Sequence, residues 1–137
     1  MKQIILDTNF LLIPFTQNVD ILSEINRLIL EPYVICVLDG TIEELEKIIR
    51  EQKGKDKNAA KLGLVLVEKK GISIINTKQK SLKMNMNSKI TVVDDVLVSI
   101  SDNNTIVGTQ DKILRQKLHE KGVKTIYLRS RKKLEIY

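Results

Sequence analysis

Tryptophan is absent from this chain, and cysteine and histidine occur once each, at Cys36 and His119. A single cysteine excludes an intrachain disulfide framework. With only one histidine, a His-built zinc site or a histidine acid–base pair has no second member, and His119 reads as a surface residue. Cys36 sits inside an apolar run, where a buried structural thiol is the ordinary role. Aromatic residues make up only 4% of the sequence, so isoleucine, leucine and valine must fill the core. No stretch reaches the roughly 18 uninterrupted apolar residues of a membrane span. Met1-Lys2-Gln3 leads straight into a strand-like run rather than a signal peptide, so the expected location is the cytoplasm, with no membrane partner.

What the chain does have is aliphatic mass and positive charge. Its 137 residues, 42% hydrophobic, suit one domain spanning 1–137. A supply rich in Ile, Leu and Val suits a parallel sheet buried on both faces. The net charge of +6 favours polyanionic partners, nucleic acid first.

Strand-like and helix-like stretches alternate, which implies repeated strand–helix–strand units. Ile4 to Leu6, Val34 to Leu38, Ile72 to Ile75, Ile90 to Val93, Thr105 to Thr109 and Lys124 to Leu128 read as strands. Helices are expected over Ile21 to Ile29, ended by Pro32, and from near Thr41 with Ile42, Leu45, Ile48 and Ile49 on one face. Others follow over Ala59 to Lys70, from Asp94 to about Ser101, and around Ile113, Leu114 and Leu118, closing at Gly122. The expected fold is α/β: about five parallel strands in order 3-2-1-4-5, flanked by helices, with Leu134 to Tyr137 as a short extra edge strand. Thr77 to Lys89 reads as a basic loop, carrying Lys78, Lys80, Lys83 and Lys89 and no acid. With the tail cations Arg129, Arg131, Lys132 and Lys133, it could hold a phosphate backbone or merely solvate the surface.

Acidic residues recur just past the strand-like runs: Asp7, Glu44, Asp94 with Asp95, and Asp111. In an open parallel sheet these positions collect in one crevice at the strand carboxyl ends, where such folds bind ligands. Carboxylates crowded there repel unless a cation joins them, and oxygen-only ligands suit Mg²⁺ or Mn²⁺. Each acid also has a local alternative. Asp95 and Asp111 stand at helix starts as N-caps, and Thr41 with Glu44 fits a capping box. Asn9 could shape its turn or fix the Asp7 carboxylate, and the Thr109 hydroxyl could orient Asp111. Haloacid-dehalogenase phosphatases are excluded by Asn9 where they need a second aspartate. Receiver domains are excluded by Asn76-Thr77 after Ile75.

Taken in order, Asp7-Thr8-Asn9, Ile42-Glu43-Glu44-Leu45, Asp94-Asp95-Val96-Leu97 and Thr109-Gln110-Asp111 make the chain resemble a PIN-domain ribonuclease over nearly its whole length. Within that family, Asp94-Asp95 and the ending Gly122 to Arg129 look most like the small-subunit ribosomal RNA processing nucleases and their stand-alone archaeal VapC-type relatives. Leu38 departs from the proline that many relatives carry after the second strand. The resemblance implies a Mg²⁺- or Mn²⁺-dependent endoribonuclease leaving 5′-phosphate and 3′-hydroxyl ends. Asp7, Glu44, Asp95 and Asp111 would be the catalytic, metal-binding quartet, with Asp94 as an extra acid. RNA, including precursor ribosomal RNA, is the implied substrate. An antitoxin protein and a second copy of the chain are open as partners. The alternative is a non-catalytic RNA-binding or assembly subunit, which would have no need to keep four mutually repelling acids.

Overall fold

The computed structural model describes residues 1–77, 92–130 and 132–137. Its chain runs β1 (Lys2–Leu6), α1 (Thr8–Thr16), α2 (Ile21–Leu28), β2 (Tyr33–Leu38), α3 (Asp39–Glu51), α4 (Lys55–Lys69) and β3 (Ser73–Ile75). It continues with α5 (Val92–Ile100), β4 (Thr105–Gly108), α6 (Lys112–Glu120), β5 (Lys124–Ser130) and β6 (Lys133–Ile136). The strands form one six-stranded sheet in order β3-β2-β1-β4-β5-β6. Neighbours from β3 to β5 pair in parallel, and β6 adds antiparallel to β5 as the extra edge strand. Chain direction across the sheet reverses between β1 and β4. That switch point, at the strand carboxyl ends, is where an open α/β sheet presents its crevice.

Side-chain alternation along the strands divides the core in two. Ile4, Leu6, Ile106 and Ile126 pack with Phe10 and Leu11 of α1, Ile21 and Ile25 of α2, and Ala60 of α4. Ile5, Cys36, Leu38 and Val107 pack on the other face with Val96 and Leu97 of α5 and Leu114 and Leu118 of α6. Burial raises the Cys36 thiol pKa, which fits a structural role. The outer edge of β6 is closed by a side-chain clamp from α2. Arg27 forks onto Glu24 at 3.1 Å, its Nη2 donates to the Leu134 carbonyl at 3.1 Å, and Glu24 accepts from Leu134 N at 3.0 Å. These bonds occupy the backbone N–H and carbonyl of Leu134 and so blunt the edge against pairing with another strand. No helix of the described residues is long and apolar enough to cross a membrane.

Four elements differ from the sequence expectation. Thr8–Thr16 is a helix that no amphipathic pattern announces, because Phe10, Leu11 and Ile13 are buried around much of it and Pro14 lies inside it. Val92 and Val93 open α5 instead of ending a strand, and Ile90 and Thr91 lie outside the described residues. The β-branched run imitates a strand, but Val93, Val96 and Leu97 follow helical spacing and all three enter the core. Finally, α3 starts at Asp39 rather than near Thr41, and α4 at Lys55 rather than Ala59.

Gly108 sets the closeness of α1 to the sheet. A Cβ there would lie 2.9 Å from Leu6 Cδ2 and 3.0 Å from the Phe10 ring, well inside contact distance. Its lack of a side chain seats Phe10 against β4, which brings the residue after β1 beside the residue after β4.

Candidate active site

Those two residues are Asp7 and Thr109, and they meet directly. Asp7 is the N-cap of α1, and its Oδ1 accepts from Thr8 N at 2.7 Å. Its Oδ2 accepts from the Thr109 hydroxyl at 3.0 Å. The same hydroxyl oxygen accepts from Asp111 N at 3.1 Å. Thr109 is fully buried and Asp7 is only 6% exposed, so one hydroxyl ties the first and last acids of the crevice together. Asn9 is exposed, and both oxygens of Asp7 are held by Thr8 and Thr109 instead.

The electrostatics at Asp7 are unfavourable for a bare carboxylate. Burial first, then the negative charge of Asp94, push its pKa up from the ordinary 3.8 to about 6. The Thr109 and Thr8 hydrogen bonds pull the other way, and Glu44 adds a further upward push. Glu44, half-buried on α3, is also raised, by burial foremost and then by Asp94, while Thr8 and Lys47 lower it. Asp7, Glu44 and Asp94 therefore act on one another. Gly40 permits this approach: a Cβ there would lie 2.8 Å from Val93 Cγ2, so the backbone of the first turn of α3 packs directly on the Val93 side chain of α5.

Asp94, the acid held as an extra, is thus the strongest like charge on both Asp7 and Glu44. Asp95 lies beside it in the first turn of α5, not past a strand end. Asp111 is exposed at the rim, and its Oδ1 accepts from Ile113 N at 2.9 Å and Leu114 N at 3.1 Å. It is a true cap, made through one carboxylate oxygen. The Thr41–Glu44 capping box does not form. Because α3 begins two positions earlier, Thr41 lies inside the helix with its hydroxyl buried and unpartnered among the described residues.

One acid escaped the sequence reading. Asp39, directly after β2, accepts from Thr77 N at 3.0 Å and from the Thr77 hydroxyl at 2.6 Å, and so ties the exit of β2 to the exit of β3. The signal was present, since Asp39 follows an apolar run as Asp7 does.

Oxygen donors from three elements suit a hard divalent cation. The Thr8 hydroxyl beside Glu44 is buried and makes no hydrogen bond of good geometry among the described residues, a polar atom that a bound group could use. Among the described residues, however, no three acids, cysteines or histidines are grouped closely enough to hold an ion as they are placed. Of the proposed phosphate holders, Lys78, Lys80, Lys83, Lys89 and Arg131 lie outside the described residues. Arg129 is paired with Glu135 at 3.0 Å, the Lys133 charge acts on Glu24, and Lys132 is exposed in the turn before β6.

Removing the Thr109 hydroxyl strands both of its partners. Thr109→Val is expected to cost about 1–3 kcal/mol in urea denaturation, whereas Thr109→Ser, which keeps the hydroxyl, should recover most of it. Equal losses in the two variants would mean that methyl packing, not the bridge, holds this corner.

The PIN-like domain family matches residues 4–131. This chain is a PIN-like domain protein. Ribonuclease VapC4 of Methanocaldococcus jannaschii is 30% identical to it over 141 residues, covering all of this chain and 98% of the relative. In solved structures, the PIN domain endonuclease Utp24 superposes with a TM-score of 0.71 at 20% identity, over 98% of this chain and 90% of that one. VapBC2 from Rickettsia felis, bound to a DNA fragment from its promoter, gives a TM-score of 0.55 at 15% identity, over 93% and 99%. The PIN fold is thus common to all three, and the VapC4 likeness makes this chain a homologue of a VapC-type ribonuclease.

Proposed function

We propose that the protein is a divalent-metal-dependent endoribonuclease of VapC type, cutting RNA at the crevice around Asp7. The observation that carries this reading is the buried Asp7 carboxyl, raised to about 6 beneath the charges of Asp94 and Glu44. A fold that needed only a helix cap at this corner would gain nothing from three acids that destabilise one another. Homology to a ribonuclease supports RNA as the substrate.

Asp7, Glu44, Asp94, Asp95 and Asp111 would hold Mg²⁺ or Mn²⁺, their side chains turning inward to do so. The metal, when bound, would supply a Lewis acid at the phosphate and a water acidic enough to attack it. The chain's own part is positioning. Thr109 holds the Asp7 carboxylate and, through the Asp111 amide, the start of α6. Thr8 N keeps the inner oxygen of Asp7 from rotating away. Surface cations then neutralise the RNA backbone as it enters. An antitoxin protein as partner follows from the VapC likeness; processing of precursor ribosomal RNA is the second substrate reading, and mapping the cut ends in cells separates them.

Cleavage of a fluorescent single-stranded RNA should require Mg²⁺ or Mn²⁺ and stop with EDTA. Undiminished cleavage in EDTA would remove the metal from the mechanism.

A further inference from the structure

A cation–aromatic surface lies beside α6, outside the acid crevice. In a chain with three tyrosines and one histidine, Tyr127, Tyr137 and His119 gather on one flank of the sheet. The His119 and Tyr137 ring centroids are 4.7 Å apart, and Tyr127 meets Tyr137 edge-on at 6.5 Å. The Arg115 guanidinium lies 4.1 Å from the Tyr127 ring centroid and 5.6 Å from that of Tyr137. Tyr137 remains 44% exposed.

Register explains the gathering. Tyr127 alternates with the buried Ile126, so it faces the α6 side of the sheet. Tyr137 pairs with Thr125 through backbone bonds of 3.0 and 2.7 Å, two residues from Tyr127 on the same face. On α6, Lys112, Arg115 and His119 follow i, i+3, i+7 spacing and share one strip. The strip begins immediately after Asp111, so it leads away from the crevice along the helix. Glu135, the acid on this flank, is engaged by Arg129 at 3.0 Å and by the Tyr127 hydroxyl at 3.5 Å. Among the described residues no carboxylate forms an ion pair with Arg115, whose contacts are the two ring faces.

We infer that this surface is a track for single-stranded RNA running out of the crevice, with a base stacked on Tyr137 and a phosphate held by Arg115. Stacking fixes the plane of the guanidinium while leaving its N–H edge to fork onto phosphate. A half-exposed tyrosine offers the face on which any base can stack, without sequence preference. Positive charge on the strip and in the whole chain matches the occupant. The inference rests on the RNA reading above, but not on the metal or on cleavage.

The test is RNA affinity in EDTA, measured by anisotropy of a short fluorescent single-stranded RNA across a salt series, so that cutting plays no part. Tyr137→Ala should weaken binding roughly fivefold or more, and Tyr137→Phe should not. Arg115→Gln should lower the slope of log affinity against log salt by about 0.7, while Arg115→Lys keeps most of the slope. These losses would stand as support even if the wild-type protein failed to cut RNA with Mn²⁺. Unchanged affinity and slope in Tyr137→Ala and Arg115→Gln, or no RNA binding by wild type at low salt, would overturn the inference. So would RNA binding that stays intact while a co-expressed protein partner is lost, since the surface would then belong to protein.

Discussion

Asp7→Asn is expected to abolish RNA cleavage and yet to stabilise the metal-free protein at neutral pH. Loss of one charged ligand should cost several kcal/mol of transition-state stabilisation, on the order of a hundred- to ten-thousandfold in rate. The stability gain follows from linkage. The carboxyl titrates at about 6 in the folded protein against an ordinary 3.8, so it binds its proton more tightly when folded. Its contribution is therefore complete below the ordinary value and is lost as pH rises through about 6. A shift of this size corresponds to about 3 kcal/mol. Asparagine keeps an oxygen for Thr8 N but meets the Thr109 hydroxyl less well, at a cost of about 1 kcal/mol. The net gain should then be about 1–2 kcal/mol above pH 7. Urea denaturation in EDTA at pH 5 and pH 8 measures it, and the variant should overtake wild type as the pH rises. A variant less stable than wild type at pH 8 would mean that Asp7 is held for its hydrogen bonds alone.

Asp111 should respond differently, because it has two separable duties. Its Oδ1 caps α6 by accepting from Ile113 N and Leu114 N. Asparagine caps about as well as aspartate, whereas alanine costs about 1 kcal/mol. Both Asp111→Asn and Asp111→Ala should lose cleavage by roughly a hundredfold or more, but only the alanine variant should unfold earlier. Thermal melts beside RNA cleavage assays decide this. An asparagine variant with full activity would leave Asp111 a cap and nothing more.

How the crevice is built explains what the sequence could disclose. Ile4 to Leu6 and Val34 to Leu38 are legible because a parallel strand buried on both faces is a continuous aliphatic run with an abrupt polar end. Asp7 marks such an end, and its neighbour Thr109 follows another. Helix α1 is not legible, since a helix covered on most sides loses the periodicity that would reveal it, and Pro14 speaks against it. Val92 and Val93 misled for the opposite reason: β-branched residues favour strands locally, and the burial of Val93 against Val96, Leu97 and the sheet prevails. That shift moved the helix start back to Val92, so that Asp94 and Asp95 lie in the first turn of α5 rather than at its cap, and Asp94 is the stronger like charge that acts on Asp7. No local pattern could disclose Gly40 against Val93 or Arg115 over Tyr127, because both are contacts between separate elements.

Calorimetric titration of Mn²⁺ into the metal-free protein tests the proposed metal centre most directly. It should be run at pH 6 and pH 8, in buffers of different ionisation enthalpy. As a ligand, Asp7 would have to shed its proton, so uptake at pH 6 should release at least about half a proton, and uptake at pH 8 almost none. Asp7→Asn should lose both the tight binding and the proton release. Mn²⁺ binding that is absent from wild type, or that survives unchanged in Asp7→Asn, would contradict a cation centre built on these acids.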